Sequence, residues 1–397
     1  MGGLSKAKFD FDELIPRKGT NCIKYDWAKE RGFPDDVLPM WVADMDFRTA
    51  GEIIEALEKS ARYGIFGYTE VGPSYFDPIG DWFQRRFGYQ LRPDWMLKTP
   101  GVVFALNMCV RAYTREGDNV LIQSPVYHPF HSSVTENGRK ILDNTLIYKD
   151  GAYSVDLADF ERKIVDGKVG LFLLCSPHNP VARVWTEEEL SAMGAICLKH
   201  GCVVAADEIH CDFVWGERNH RLFPSVGHAF ERNAVLLTAP SKTFNLAGLN
   251  TSNVFIPDPS LRQRFRDEVS RTGVSQLQVM GLVACEAAYR HGEPWFDALK
   301  GYLEGNIAYV ESFFRERLAP LSLAETQGTY LMWADFSGLK LPHKTLSKLL
   351  SQKARLWLSD GLTFGEAGKE FRRINVATPR KNVEEAMGRL AGMLESL

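Results

Sequence analysis

The stretch Leu236-Leu237-Thr238-Ala239-Pro240-Ser241-Lys242-Thr243-Phe244-Asn245-Leu246-Ala247-Gly248-Leu249 decides how the chain is read. An apolar run stops at Pro240-Ser241, and a lysine follows at once. A buried strand delivers a side chain to the open edge of a sheet in this way, and in α/β proteins ligands sit outside the carboxyl ends of the strands. A lysine held there, partly desolvated, has a lowered pKa and becomes a nucleophile toward carbonyls. Most lysines are solvated surface charges. The meaning of Lys242 therefore depends on what ends the neighbouring strands.

Upstream, residues 202–206 form an apolar strand ending at Asp207-Glu208-Ile209-His210, and residues 170–175 form another ending at Ser176-Pro177-His178-Asn179-Pro180. The two prolines around His-Asn enforce an extended turn. Residues 119–123 read as a strand that ends at Ser124-Pro125-Val126-Tyr127. Thr186 with Glu189 forms a capping box that opens a helix running to about His200. Strands alternating with helices at this spacing predict an α/β layer with a mainly parallel sheet. Four runs end in Tyr127, Asn179, Asp207 and Lys242. One such residue is chance; four point to a shared pocket at one sheet edge.

Further out, Thr99-Pro100-Gly101-Val102-Val103 opens a helix whose free N–H groups and positive dipole end suit a phosphate. Ile53, Ile54, Leu57 and Ala61 predict a helix over 49–61, and another is expected over 78–87. Between them lies a glycine-punctuated loop, Tyr63-Gly64-Ile65-Phe66-Gly67-Tyr68-Thr69. The aromatic and acidic run Trp41-Val42-Ala43-Asp44-Met45-Asp46-Phe47 reads as a packed arm. Beyond Gly292 come a long helix over 294–318, strands over 328–335 and 371–377, and a terminal helix from Asn382. Strands separated from helices imply a smaller α+β domain. The expected division is a large domain over 50–290 and a small one built from 1–49 and 291–397.

A chain of 397 residues suits two domains. Lys plus Arg total 47 against 50 Asp plus Glu, a net charge of -3, which argues against nucleic acid or a membrane surface as partner. No apolar run approaches membrane-spanning length, and residues 1–12 lack a secretory core. Seven scattered cysteines without a CxxC pair read as reduced thiols in cytoplasm and give no metal site.

A lysine can hold an aldehyde cofactor, and a buried carboxylate can keep a pyridine nitrogen protonated. An asparagine can donate to a phenolic oxygen, an aromatic can stack on the ring, and a helix start can take a phosphate. Together these are the protein side of pyridoxal-phosphate chemistry. The order Ser-Pro-Val-Tyr (124–127), Ser-Pro-His-Asn-Pro (176–180), Asp-Glu-Ile-His (207–210), Ser-Lys-Thr-Phe-Asn (241–245) and Arg-Ile-Asn (373–375) resembles the fold-type I pyridoxal-phosphate enzymes of aspartate aminotransferase fold. Within them the chain resembles the MalY/PatB cystathionine β-lyase branch. The marks are Arg17-Lys18-Gly19-Thr20-Asn21 with Lys24-Tyr25-Asp26, then residues 41–46, Phe66-Gly67-Tyr68-Thr69 and Ala239-Pro240-Ser241-Lys242.

The resemblance implies that Lys242 carries the cofactor and moves the Cα proton. Asp207 would pair with the pyridine nitrogen, Asn179 would donate to the phenolic oxygen, and Tyr127 would stack on the ring. The backbone of Gly101, Val102 and Val103, with Ser241, would take the phosphate, and His210 would lie beside the cofactor. Tyr68 would reach the phosphate of a neighbouring subunit in a homodimer with shared sites. Arg373 would clamp the substrate carboxylate, a bidentate task suited to guanidinium. The chain departs from the family pattern at Ala182, where glycine is usual. It departs again at His210, where aminotransferases carry tyrosine, and at Leu249-Asn250-Thr251, which lacks their arginine.

The expected activity is a β-lyase that cleaves cystathionine or a related cysteine S-conjugate to a thiol, pyruvate and ammonia. The alternative is a class I/II aminotransferase using the same residues. A catalytically silent regulatory or binding protein ranks last, because the equivalents of Lys242, Asp207 and Arg373 are all present.

Overall fold

The computed structural model describes residues 9–397. Seven strands form the main sheet: β1 (Met96–Thr99), β2 (Asn119–Ile122), β3 (Lys140–Asp143), β4 (Leu171–Cys175), β5 (Val203–Asp207), β6 (Ala234–Thr238) and β7 (Ser252–Phe255). Their spatial order is β1-β7-β6-β5-β4-β2-β3. β2 through β6 pair in parallel, whereas β7 runs antiparallel to both its neighbours. Neither β1 nor β3 is expected from the sequence. β3 (Lys-Ile-Leu-Asp) is an edge strand with no fully buried residue, so it lacks the apolar run that marks the central strands.

Every residue of β4, β5 and β6 is buried. Alternate side chains point to opposite faces. Leu171, Leu173 and Cys175 pack into one apolar cluster with α1 (Val102–Tyr113) and α3 (Pro259–Arg271). Phe172 and Leu174 pack into another with α2 (Glu187–Lys199). A strand sandwiched this way must be apolar throughout, which is why these three are the most legible in the sequence. The Thr186–Glu189 capping box is present at the start of α2.

Several boundaries differ from expectation. The helix expected over 78–87 spans Pro73–Phe87, with Pro73 at its first turn and Pro78 inside it. The first helix spans Gly51–Tyr63 and buries Ile53, whereas Ile54 is exposed. In α1, Val102 is buried and Val103 is exposed. Asp207 closes β5 and is itself a strand residue.

A second, antiparallel sheet orders Ser322–Leu323, Leu331–Asp335, Phe371–Asn375 and Ser359–Asp360 side by side. Arg373 lies in its central part, opposite both Trp333 and Ser359. The short segment Leu38–Pro39 pairs in parallel with Leu356–Trp357, joining the N-terminal arm to this region. A buried ion cluster braces the arm. Arg17 bonds Asp44 at 2.6 Å and Asp46 at 2.7 Å, and the buried Lys24 bonds Asp46 at 2.8 Å. Burial works against the Asp46 charge, but Lys24 and Arg17 hold its carboxyl below the ordinary range.

Candidate active site

Lys242 sits on the helical turn Pro240–Thr243, which follows β6 after Ala239. That turn is anchored from behind, where the Thr243 hydroxyl donates to buried Asp212 at 2.6 Å, and the Trp82 indole N–H donates to the other Asp212 oxygen at 3.0 Å. Lys242 Nζ donates to the Ala43 carbonyl at 2.7 Å. Burial pulls its amine down to about 8, and the positive charge of Arg373 acts in the same direction against Asp44 and Asp207. At pH 7 about a tenth of such an amine is neutral, far more than of an ordinary lysine.

Asp207 ends the neighbouring strand. Its carboxylate accepts from the Ile209 N–H at 3.2 Å and makes no ion pair within 4 Å among the described residues. Burial pushes it up to about 7, although Lys242 and the Ile209 N–H pull the other way. The Asn179 carbonyl accepts from the Tyr127 N–H at 3.0 Å, and Asn179 Oδ1 accepts from Arg373 Nη1 at 2.9 Å. Tyr127, Lys242 and Arg373 line one cleft of about 720 Å³. The fold thus brings together the four strand-end residues and Arg373, which comes from the second sheet.

Arg373 is more occupied than a free clamp. Besides Asn179, it donates through Nη2 to the Trp41 carbonyl at 2.8 Å and to Ser359 Oγ at 3.2 Å, while its Nε is buried without a partner. His210 is buried near Lys242 and Arg373, its Nδ1 unpartnered; burial and those two cations hold it neutral, well below the ordinary histidine range. Ser241 is half-buried, and its hydroxyl makes no hydrogen bond among the described residues. Gly101 precedes α1 with φ of 102°, a conformation that favours glycine, and a Cβ there would meet no atom within 4 Å. Val102 and Val103 follow in its first turn. Tyr68 does not join this cluster within the chain; it is 99% exposed.

The part that sequence reasoning missed is the arm. Backbone carbonyls of Trp41, Val42, Ala43, Asp44 and Met45 accept from Arg373, Asn375, Lys242, Tyr330 and Asn245. Asn245 also receives the Met45 N–H at 3.0 Å and donates to Phe47 O at 2.9 Å. Trp41, Val42 and Ala43 are therefore part of one wall of the cleft, held there by the bonds along residues 41–47. Asn245 and Asn375 close the Ser-Lys-Thr-Phe-Asn and Arg-Ile-Asn motifs, and that placement was the available signal.

A pyridinium cofactor fits these groups. Asp207 is a buried acid without an ion pair, Arg373 Nε and His210 Nδ1 are unpartnered, and the Lys242 charge, on an amine with a lowered pKa, acts on all three groups. The pattern of aminotransferase class I and II matches residues 36–390. The chain belongs to that family. It is 40% identical to the cystathionine beta-lyase PatB of Bacillus subtilis (strain 168), over 97% of this chain and 100% of that one. It is 32% identical to protein MalY of Escherichia coli (strain K12), over 98% and 99%. Among solved structures, pyridoxal-phosphate-containing cystalysin from Treponema denticola superposes with a TM-score of 0.94 at 35% identity, over 98% and 99%. These likenesses set the chain in the MalY/PatB branch. The fold is that of the fold-type I enzymes.

Ala182, where the resemblance implies glycine, has φ of 58°. Glycine enters this left-handed conformation without the steric cost that alanine carries here.

Proposed function

We propose that this chain is a pyridoxal-phosphate-dependent C–S β-lyase acting on cystathionine or a related cysteine S-conjugate. The observation that carries the reading is a buried Asp207 without an ion pair, close enough to Lys242 for the two charges to act on each other, with the Lys242 amine lowered to about 8, in a chain 40% identical to a cystathionine beta-lyase. Lys242 would hold the cofactor through Nζ and would move the proton at the substrate Cα. Asp207 would keep the ring nitrogen protonated, Asn179 would donate from Nδ2 to the phenolic oxygen, and Tyr127 would lie against the ring. Gly101, Val102 and Val103 offer backbone N–H groups to the phosphate, together with Ser241. His210 stays neutral beside them. When bound, the cofactor supplies a ring that accepts the electron pair left at Cα. Arg373 Nε and its neighbouring edge orient the substrate carboxylate.

The chain works as a homodimer in the cytoplasm, with Tyr68 reaching the phosphate of the second copy. Residues 50–290 form the cofactor domain, and residues 1–49 with 291–397 form the small one. No helix among the described residues is long and apolar enough to cross a membrane.

The test is incubation of purified holoprotein with L-cystathionine and no 2-oxo acid. Pyruvate, ammonia and homocysteine are expected. Turnover that appears only when a 2-oxo acid is added would make the protein an aminotransferase.

A further inference from the structure

At the mouth of the cleft, Trp357 is stacked between two rings. Its centroid lies 4.3 Å from Phe33 and 4.3 Å from Trp41, with interplanar angles of 19° and 12°. The Arg31 guanidinium lies 5.1 Å from the Trp41 ring centroid. Arg31, Phe33, Trp41 and Trp357 line the same cleft as Lys242 and Arg373. Trp41 therefore carries an arginine at each end: Arg373 on its carbonyl at 2.8 Å, and Arg31 on its indole.

The charged groups of this cleft differ in what they already hold. Asp360 is paired with His343 at 2.8 Å and lies 3.6 Å from Arg372. Both terminal nitrogens of Arg373 are hydrogen-bonded. Lys242 donates to Ala43. The Arg31 side chain makes no hydrogen bond or ion pair among the described residues, and stacking on an indole leaves the in-plane N–H donors of a guanidinium unspent. A cation oriented by an aromatic stack, in a cleft whose other charged groups already hold partners, is a preformed receptor for one anionic group. The aromatic wall and Arg373 share one cleft, so a substrate whose α-carboxylate met Arg373 would have this wall within the same space for its sulfur substituent.

We propose that Arg31 binds the far carboxylate of the substrate, so that the enzyme prefers cysteine S-conjugates whose sulfur substituent ends in a carboxylate. The assignment rests on the lyase reading for its substrate class, and on the stack for its geometry.

The experiment compares S-(2-carboxyethyl)-L-cysteine with the neutral S-propyl-L-cysteine, using holoprotein and following pyruvate. The wild type should favour the carboxylate-ended substrate by about tenfold in kcat/KM, the value of one charge-assisted contact at a partly exposed site. Arg31→Gln should abolish that ratio through KM, and Arg31→Lys should keep part of it. Binding of each amino acid, read from the change in cofactor absorbance, gives the same ratio whether or not sulfur leaves. If neither substrate yields pyruvate, the lyase reading fails while the binding ratio still decides the role of Arg31. A ratio equal in wild type and Arg31→Gln, or a preference for the neutral substrate along the aromatic wall, overturns the proposal.

Discussion

Asp207 is an acid placed where its charge is costly without a cationic ligand. Its folded pKa near 7 lies well above the ordinary value of 3.8, so between those values the folded apoprotein binds more protons than the unfolded chain. Its contribution is fully present below about pH 4 and is lost as pH rises through 7. Asp207→Asn should therefore stabilise the apoprotein at pH 8, by about 4 kcal/mol, and leave it nearly unchanged at pH 4. The cofactor-loaded variant should show the opposite: weaker cofactor retention and crippled Cα deprotonation. Thermal unfolding with and without cofactor, at both pH values, checks this; an apoprotein equally stable to wild type at pH 8 would remove the strain assigned to Asp207. Arg373 behaves differently because it is shared between substrate and scaffold. Arg373→Ala should raise KM by about 10- to 100-fold. It should also perturb the cofactor absorbance, since Asn179 Oδ1 loses its donor. A rise in KM with an unchanged spectrum would mean that Asn179 is held by other groups.

Among the elements, the central strands were legible because burial on both faces demands unbroken apolar runs, and their ends show as sudden polarity at Asn179, Asp207 and Lys242. The start of the arm, residues 41–43, was not legible as a wall of the cleft, because its role is carried by main-chain carbonyls, which every residue has. β1 and β3 were missed for a related reason: short strands at the sheet edges with partly exposed residues carry no period-two or all-apolar signal. Arg373 showed as a motif, but its bonds to Trp41 O and Ser359 join segments far apart in sequence, beyond the reach of local spacing. The arm's attachment is testable at Asn245, whose side chain makes three hydrogen bonds to Met45 and Phe47. Asn245→Ala strands those groups and removes a residue that tolerates its φ of 56°. A loss of about 2–4 kcal/mol is expected, together with faster proteolysis in the arm and a higher KM. Proteolysis at the wild-type rate would show that the ion cluster of Arg17, Lys24, Asp44 and Asp46 suffices to hold the arm.

At the scale of the whole molecule, the segment 63–68 presents apolar side chains to solvent: Tyr63 is 72% exposed, Ile65 68%, Phe66 62% and Tyr68 99%. A run of large apolar groups this exposed is a surface that the proposed homodimer would cover. Tyr68 lies outside the cluster around its own Lys242, so a role at the phosphate requires a second copy. A two-fold interface makes that contribution reciprocal, each chain completing the other's site. Sharing has a consequence that no single-chain role reproduces. Lys242→Ala and Tyr68→Ala are each expected to be inactive or nearly so as homodimers. In a mixed dimer, one site combines the intact lysine of one chain with the intact tyrosine of the other, and the second site collects both defects. Exchanging subunits between the two variants should then restore about half the wild-type activity per mixed dimer, if the sites act independently. If Tyr68 serves its own chain, every site keeps one defect and exchange restores nothing. Native mass spectrometry confirms that mixed dimers have formed, and activity that stays absent in their presence would rule out the shared site.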